Sequence, residues 1–150
     1  MFQKTILFII CLFILISCSG KKEVEYIPSE KIDPYKVYQE GLDAFKQADF
    51  FYANKRFSEA ELNFTVVEHA AKAAIMGSYS LYGINFYSDA LENLDRYLKK
   101  YPADENVIYA HYLIAIIYFE QISDEKKDLQ PLLDANAKID FFIDKFPDTD

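Results

Sequence analysis

The chain has no tryptophan, four glycines, five prolines and two cysteines in 150 residues. Each shortage closes off a class of protein. The glycines form no phosphate-cradling loop. His69 and His111 are the two histidines, far apart in sequence, with no cysteine at ligand spacing, so no metal site is called for. Glu68 and His69 are neighbours on a helix and point in different directions, which makes them a poor acid–base pair. With no catalytic constellation and no cofactor motif, the chain reads as a non-enzyme. Basic charge is short as well: 16 Lys and Arg against 24 Asp and Glu leave a formal net charge of −8, which argues against nucleic-acid binding through phosphate contacts. No stretch sustains an apolar–polar alternation of period two, so strands are not expected.

Long hydrophobic runs are also missing. Ile6 to Ile16 follows Lys4 and would reach about 16 Å as a helix, half of a ~30 Å hydrocarbon core. It reads as the apolar region of a signal peptide. The run closes in Leu15-Ile16-Ser17-Cys18, which resembles a bacterial lipobox. The resemblance implies cleavage before Cys18 and three acyl chains on that residue, where two suffice for stable anchoring. Ser19, rather than an aspartate, implies the periplasmic face of the outer membrane. The alternative is an ordinary secretory peptide that holds a cysteine. Residues 1–17 are then a signal peptide, 18–33 a lipidated flexible tether (polar, with Pro28), and 34–150 the folded domain. Cys11 leaves with the signal, so the mature chain cannot form an intramolecular disulfide.

From Pro34 onward apolar residues recur at helical spacing. Ala90, Leu91, Leu94, Tyr97, Leu98 and Tyr101 form one stripe, and Leu132, Ala135, Ile139, Phe142, Ile143 and Phe146 another. Asp33-Pro34 supplies a cap and a proline at the first helical position, and Ser58 with Glu61 matches a capping box. Ser88, Asp104 and Asp128 are further candidate caps. Pro102 and Pro147 would stop the stripes that precede them. These signals predict an all-α chain with helices near 34–54, 58–69, 71–84, 88–100, 105–121 and 129–145. Ile108 to Phe119, apolar but for His111, is too short to span a membrane at about 18 Å and fits the middle layer of a helical stack.

The helices repeat in pairs. Ala60 and Phe64 align with Ala90 and Leu94 at an offset of 30, and Ala135, Ile139, Phe142 and Pro147 align with Ala90, Leu94, Tyr97 and Pro102 at 45. Small-then-large pairs recur in the first helices as Ala48/Phe51, Ser78/Leu81 and Ala115/Tyr118. The pattern resembles the tetratricopeptide repeat, a helical-hairpin solenoid with a 34-residue unit, in about three copies. The first pair lacks a closing proline, and the charged segment Ser123 to Asp128 lengthens the third. A generic helical bundle is the plainer alternative. The resemblance implies that the first helices line a concave groove. The matching positions are Phe45, Asp49 and Tyr52, then Lys72, Ile75, Tyr79 and Tyr82, then Tyr109, Tyr112 and Phe119. Tyrosine suits peptide recognition, with a large face, few rotors and one polar tip. The competing reading is that these rings seal helix–helix seams.

A lipobox, a short tether and an enlarged third repeat together resemble the BamD family, lipoproteins of the outer-membrane β-barrel assembly machine. The most specific stretch runs from Tyr79 to Tyr118 and holds Asp89-Ala90-Leu91, Tyr97-Leu98, Tyr101-Pro102 and Tyr109-Ala110. The resemblance implies a non-catalytic scaffold, with the barrel-forming subunit, other assembly lipoproteins and unfolded outer-membrane proteins as partners. Family members usually hold five repeats, so it also implies that the C-terminal repeats are missing here. A pilotin for a secretin and an adaptor recruiting peptidoglycan enzymes are the alternatives.

Overall fold

The computed structural model describes residues 32–122 and 129–149. The signal run, Cys18, most of the tether, and the Ser123–Asp128 segment with its candidate cap lie outside the described residues. Six α-helices and no strands occur among the described residues: α1 Pro34–Lys46, α2 Phe50–Asn63, α3 Val67–Gly83, α4 Tyr87–Lys100, α5 Val107–Glu120 and α6 Gln130–Lys145. They pair as the hairpins α1–α2, α3–α4 and α5–α6, with α2 against α3 and α4 against α5 between pairs. The fold is all-α and tetratricopeptide-like.

The last four helices lie within a few residues of their expected bounds, but the first two do not. The expected helix 34–54 ends at Lys46, and α2 begins at Phe50 rather than near Ser58. The chain turns at Gln47-Ala48-Asp49, where Ala48 takes a φ of 60°. Asp49 N–H donates to the Ala44 carbonyl at 2.9 Å and Ala48 N–H to that of Phe45 at 3.0 Å, the paired closure of a Schellman motif. Asn85, with φ 61°, closes α3 in the same way: Phe86 N–H reaches Leu81 O and Asn85 N–H reaches Tyr82 O. The corners at Ala48 and Asn85 put the offset between the first two hairpins at 37 residues, not 30.

Several expected marks move accordingly. Ala53, rather than Ala60, occupies the position of Ala90 and Ala135, and all three are almost wholly buried. Gly41, not Ala48, is the small residue of the first crossing, in step with Ser78 and Ala115. A methyl group on Gly41 would lie 2.8 Å from Cε1 of Phe57, so the hairpin closes only around a bare Cα. Ser58 lies inside α2 and Ser88 inside α4, so neither caps a helix. Asp33 does cap α1, accepting from Tyr35 N–H at 3.0 Å. Asp104 accepts from Asn106 N–H at 3.0 Å, just ahead of α5.

The main core joins α3, α4 and α5. Leu94, Tyr97, Leu113 and Ile117 are buried there beside the alanines of α3. α5 packs against α4 and α6, which accounts for its buried Ala110, Leu113, Ile114, Ala115 and Ile117, while Ile108, Tyr109, Tyr112 and Phe119 remain exposed. Among the described residues no helix is long and apolar enough to cross a membrane. α6 is more open: Ala135 is buried, while Leu133, Phe141 and Ile143 are exposed.

Candidate functional site: an aromatic cleft across the first helices

Lys72, Ile75, Met76 and Tyr79 share one face of α3, spaced by about a helical turn. With Phe45 from α1, Glu105 and Asn106 just ahead of α5, and Tyr109 within it, they line an open cleft of about 400 Å³. Five of the ten expected groove residues therefore meet in one place: Phe45, Lys72, Ile75, Tyr79 and Tyr109.

Ring contacts carry the surface further. Phe45 lies 5.5 Å from Tyr79, and Tyr79 lies 6.2 Å from Tyr109, so one row of rings crosses α1, α3 and α5. Tyr82 stacks on Tyr79 at 5.8 Å, and Tyr112 follows Tyr109 at 6.2 Å. Tyr112 also meets Phe142 of α6 at 6.0 Å, so one side of it closes a helix seam. Burial, with Tyr79 and Tyr112 nearby, pushes the Tyr109 phenol up to about 12. It stays protonated and able to donate at any physiological pH. Lys72 and Glu105 give the rim one cation and one anion, while Ile75 forms a buried apolar floor.

The far end of the cleft is tied together by Glu120. Its carboxylate accepts from Tyr82 and Tyr87 hydroxyls, each at 2.8 Å, which joins α3, α4 and α5. That bond raises Tyr82 to about 12 and holds the Glu120 carboxyl below its ordinary value.

The remaining expected residues lie elsewhere. Asp49 is the N-cap of α2, its carboxylate engaged by Tyr52 N–H at 3.1 Å. Tyr52 belongs to α2, a second helix, with the Arg56 guanidinium 5.1 Å from its ring. These two border a separate cleft with Glu40, Asp43 and Gln47. Phe119 is exposed near the end of α5.

His69 packs among Tyr35 and Phe64, and His111 among Phe141 and Phe146 with Lys145 Nζ 3.2 Å from its Nε2. Burial and the Lys145 and Lys138 charges lower the His111 pKa.

Sequence reasoning missed Met76, Glu105 and Asn106 in the lining, and it misread Glu61. That residue is no capping-box member: it is buried, with Arg96, Lys100 and Tyr101 of the next hairpin around its carboxylate. The row Arg96, Lys100 at i, i+4 on α4 was the available signal, but nothing near Glu61 pointed to it.

Hairpins closed around small residues, stacked so that their first helices share an aromatic cleft, define a tetratricopeptide-like helical solenoid. Residues 30–150 match the YfiO family of outer membrane lipoproteins, and the chain belongs to that family. It is 29% identical over 133 residues to the outer membrane protein assembly factor BamD of Caulobacter vibrioides, covering 89% of this chain and 44% of that protein. The protein of the same name from Rickettsia prowazekii is 26% identical over 136 residues, covering 91% and 53%. That from Neisseria meningitidis is 27% identical over 86 residues, covering 57% and 32%. The chain spans about half the length, or less, of the curated relatives it matches.

Proposed function

We propose that the protein is a non-catalytic scaffold in outer-membrane protein assembly, held at the periplasmic face of the outer membrane by lipid on Cys18. Partner subunits dock on its helical surface, and unfolded outer-membrane protein segments lie in the cleft of Phe45, Lys72, Ile75, Tyr79 and Tyr109. The observation that carries this reading is the row of rings crossing three successive hairpins in a chain of the outer membrane lipoprotein family. An extended strand of a nascent barrel alternates apolar and polar side chains. It can set every second residue against the rings and leave its backbone to Lys72, Asn106 and the tyrosine hydroxyls. Micromolar affinity needs about −8 kcal/mol, within reach of three or four aromatic anchors after ordering costs.

The test is photo-crosslinking of the full chain to a peptide from a barrel's last strand. Replacing Tyr79 and Tyr109 together by alanine is expected to reduce the yield about tenfold or more, as loss of two aromatic anchors at more than 1 kcal/mol each would. Helicity by circular dichroism should be unchanged. Unchanged crosslinking in a folded double variant would remove the cleft from the proposal. Co-purification from detergent extracts should bring down a barrel-assembly subunit; a secretin or a murein hydrolase in its place would point to a pilotin or an adaptor.

A further inference from the structure

At one end of the stack α1, α3 and α5 begin and α2 and α4 finish. The Tyr35 ring lies 5.1 Å from Phe64, just after α2, and 5.4 Å from His69 in α3. Val67 borders a cleft of about 390 Å³ with Lys100, Tyr101 and Pro102. Apolar side chains stand open at this end: Leu62 is 80% exposed and Val67 68%, with Ile32, Tyr35 and Val66 exposed beside them. Leu62 and Val67 have no hydrogen bond to make, and a cluster of such residues needs a covering surface more than scattered ones do.

The opposite end exposes Phe51, Phe86 and Phe119, so exposure alone does not choose between the two. Covalent geometry does. Asp33, the cap of α1, is 15 residues from Cys18, so the start of α1 is the part of the helical stack nearest along the chain to the lipid-bearing residue. Helices of this length put the opposite end of the stack roughly 20 Å from Asp33.

We propose that the end formed by Tyr35, Leu62, Val66 and Val67 rests on the lipid surface, with Leu62 and Val67 entering the headgroup layer. The inference rests on the lipid-anchor reading of Cys18. A tethered patch needs little affinity of its own, because the anchor makes its contact intramolecular. Glu68 and Glu105 border the same cleft as Lys100, and the chain carries −8, so apolar contact and not attraction to anionic lipid makes the attachment. The surface orients the domain with its helices steep to the membrane, and the aromatic cleft opens sideways into the periplasm.

The natural sequence has no tryptophan, so one introduced indole is a clean reporter. The lipidated full chain, carrying Leu62→Trp, Val67→Trp or Phe119→Trp, is reconstituted in phosphatidylcholine vesicles without anionic lipid. The vesicles are made with plain acyl chains or with chains brominated near the headgroup. Bromination is expected to quench Leu62→Trp and Val67→Trp roughly twofold or more and to leave Phe119→Trp unchanged, as expected for side chains at the headgroup–acyl boundary. Flotation of the same samples reads the anchor separately. Protein that floats with both reporters unquenched, or with Phe119→Trp quenched equally, overturns the placement and leaves the anchor standing. A blue shift without quenching assigns this end to a protein contact and overturns it too. Protein with Cys18 intact that fails to float removes anchor and placement together.

Discussion

Glu61 of α2 accepts two hydrogen bonds from the Arg96 guanidinium of α4, at 2.6 and 2.8 Å, so one carboxylate pins the first hairpin to the second. Lys100 Nζ adds a third contact at 3.0 Å and the Tyr101 hydroxyl a fourth at 2.9 Å. Glu61 is only 5% exposed, yet both cations reach solvent on their other sides. The arrangement is one-sided. Removing either cation leaves a partner, whereas removing Glu61 leaves two cations and a hydroxyl facing an empty position.

Glu61→Gln is therefore expected to destabilise the protein by about 1–3 kcal/mol, since the cations can turn to water and recover part of the loss. The damage should be local, because each repeat in a solenoid leans on its neighbours. Hydrogen exchange should show α1 and α2 amides losing protection first, with α5 least affected. Uniform loss along the chain would contradict this division.

Acid should reproduce part of that effect. Burial raises the Glu61 pKa, but donors from Arg96, Lys100 and Tyr101 outweigh it and hold the group below its ordinary 4.5. Asp104, with Tyr97 and Asn106 as donors, is also lowered against the upward pull of burial. A carboxyl depressed in the folded state contributes fully above the unfolded pKa and loses its contribution as pH falls through the folded value. The urea midpoint should hold steady near neutrality and decline below about pH 4.5. Glu61→Gln should show a shallower decline over the same range.

Packing in the first hairpin gives a steric prediction. The Gly41 position faces the Phe57 ring, which is fully buried and has no free end to swing away. Gly41→Ala, a change that favours helices on exposed faces, should here cost about 1–3 kcal/mol through overpacking. Adding Phe57→Leu should recover part of it, and a double-mutant cycle in urea would read the coupling. No coupling would mean that the helices slide apart freely at that point.

What the sequence made legible follows from which signals are local. α4 and α6 show their stripes and stops plainly, and Ala90, Leu94 and Tyr97 are all fully buried. Lys72, Ile75 and Tyr79 fall on one face because their spacing is read from a helix whose limits were sound. The break between α1 and α2, expected between 54 and 58, lies at Gln47-Ala48-Asp49, which holds neither glycine nor proline and is followed by apolar Phe50 and Phe51. That error put Tyr52 on a first helix and made Asp49 look like a groove anion rather than a cap. Glu61 was invisible for another reason: its partners lie 35 to 40 residues away, and periodicity says nothing about pairing across a stack.

The corner that hid from pattern reading should also be a weak point. Ala48 holds a left-handed conformation, φ 60°, in which its Cβ crowds the following carbonyl, at a cost of about 1–2 kcal/mol. Glycine escapes that crowding but gives up about 0.5–1 kcal/mol of unfolded-state entropy. Ala48→Gly should then stabilise the protein by a few tenths to about 1 kcal/mol, while Ala48→Val should destabilise it, since a branched Cβ tolerates the region least. The equivalent corner residue Asn85 already suits the region, so Asn85→Gly should be nearly neutral. Thermal melts of the three variants check the ranking. An Ala48→Gly variant less stable than the natural chain would mean that the corner is held by more than its backbone.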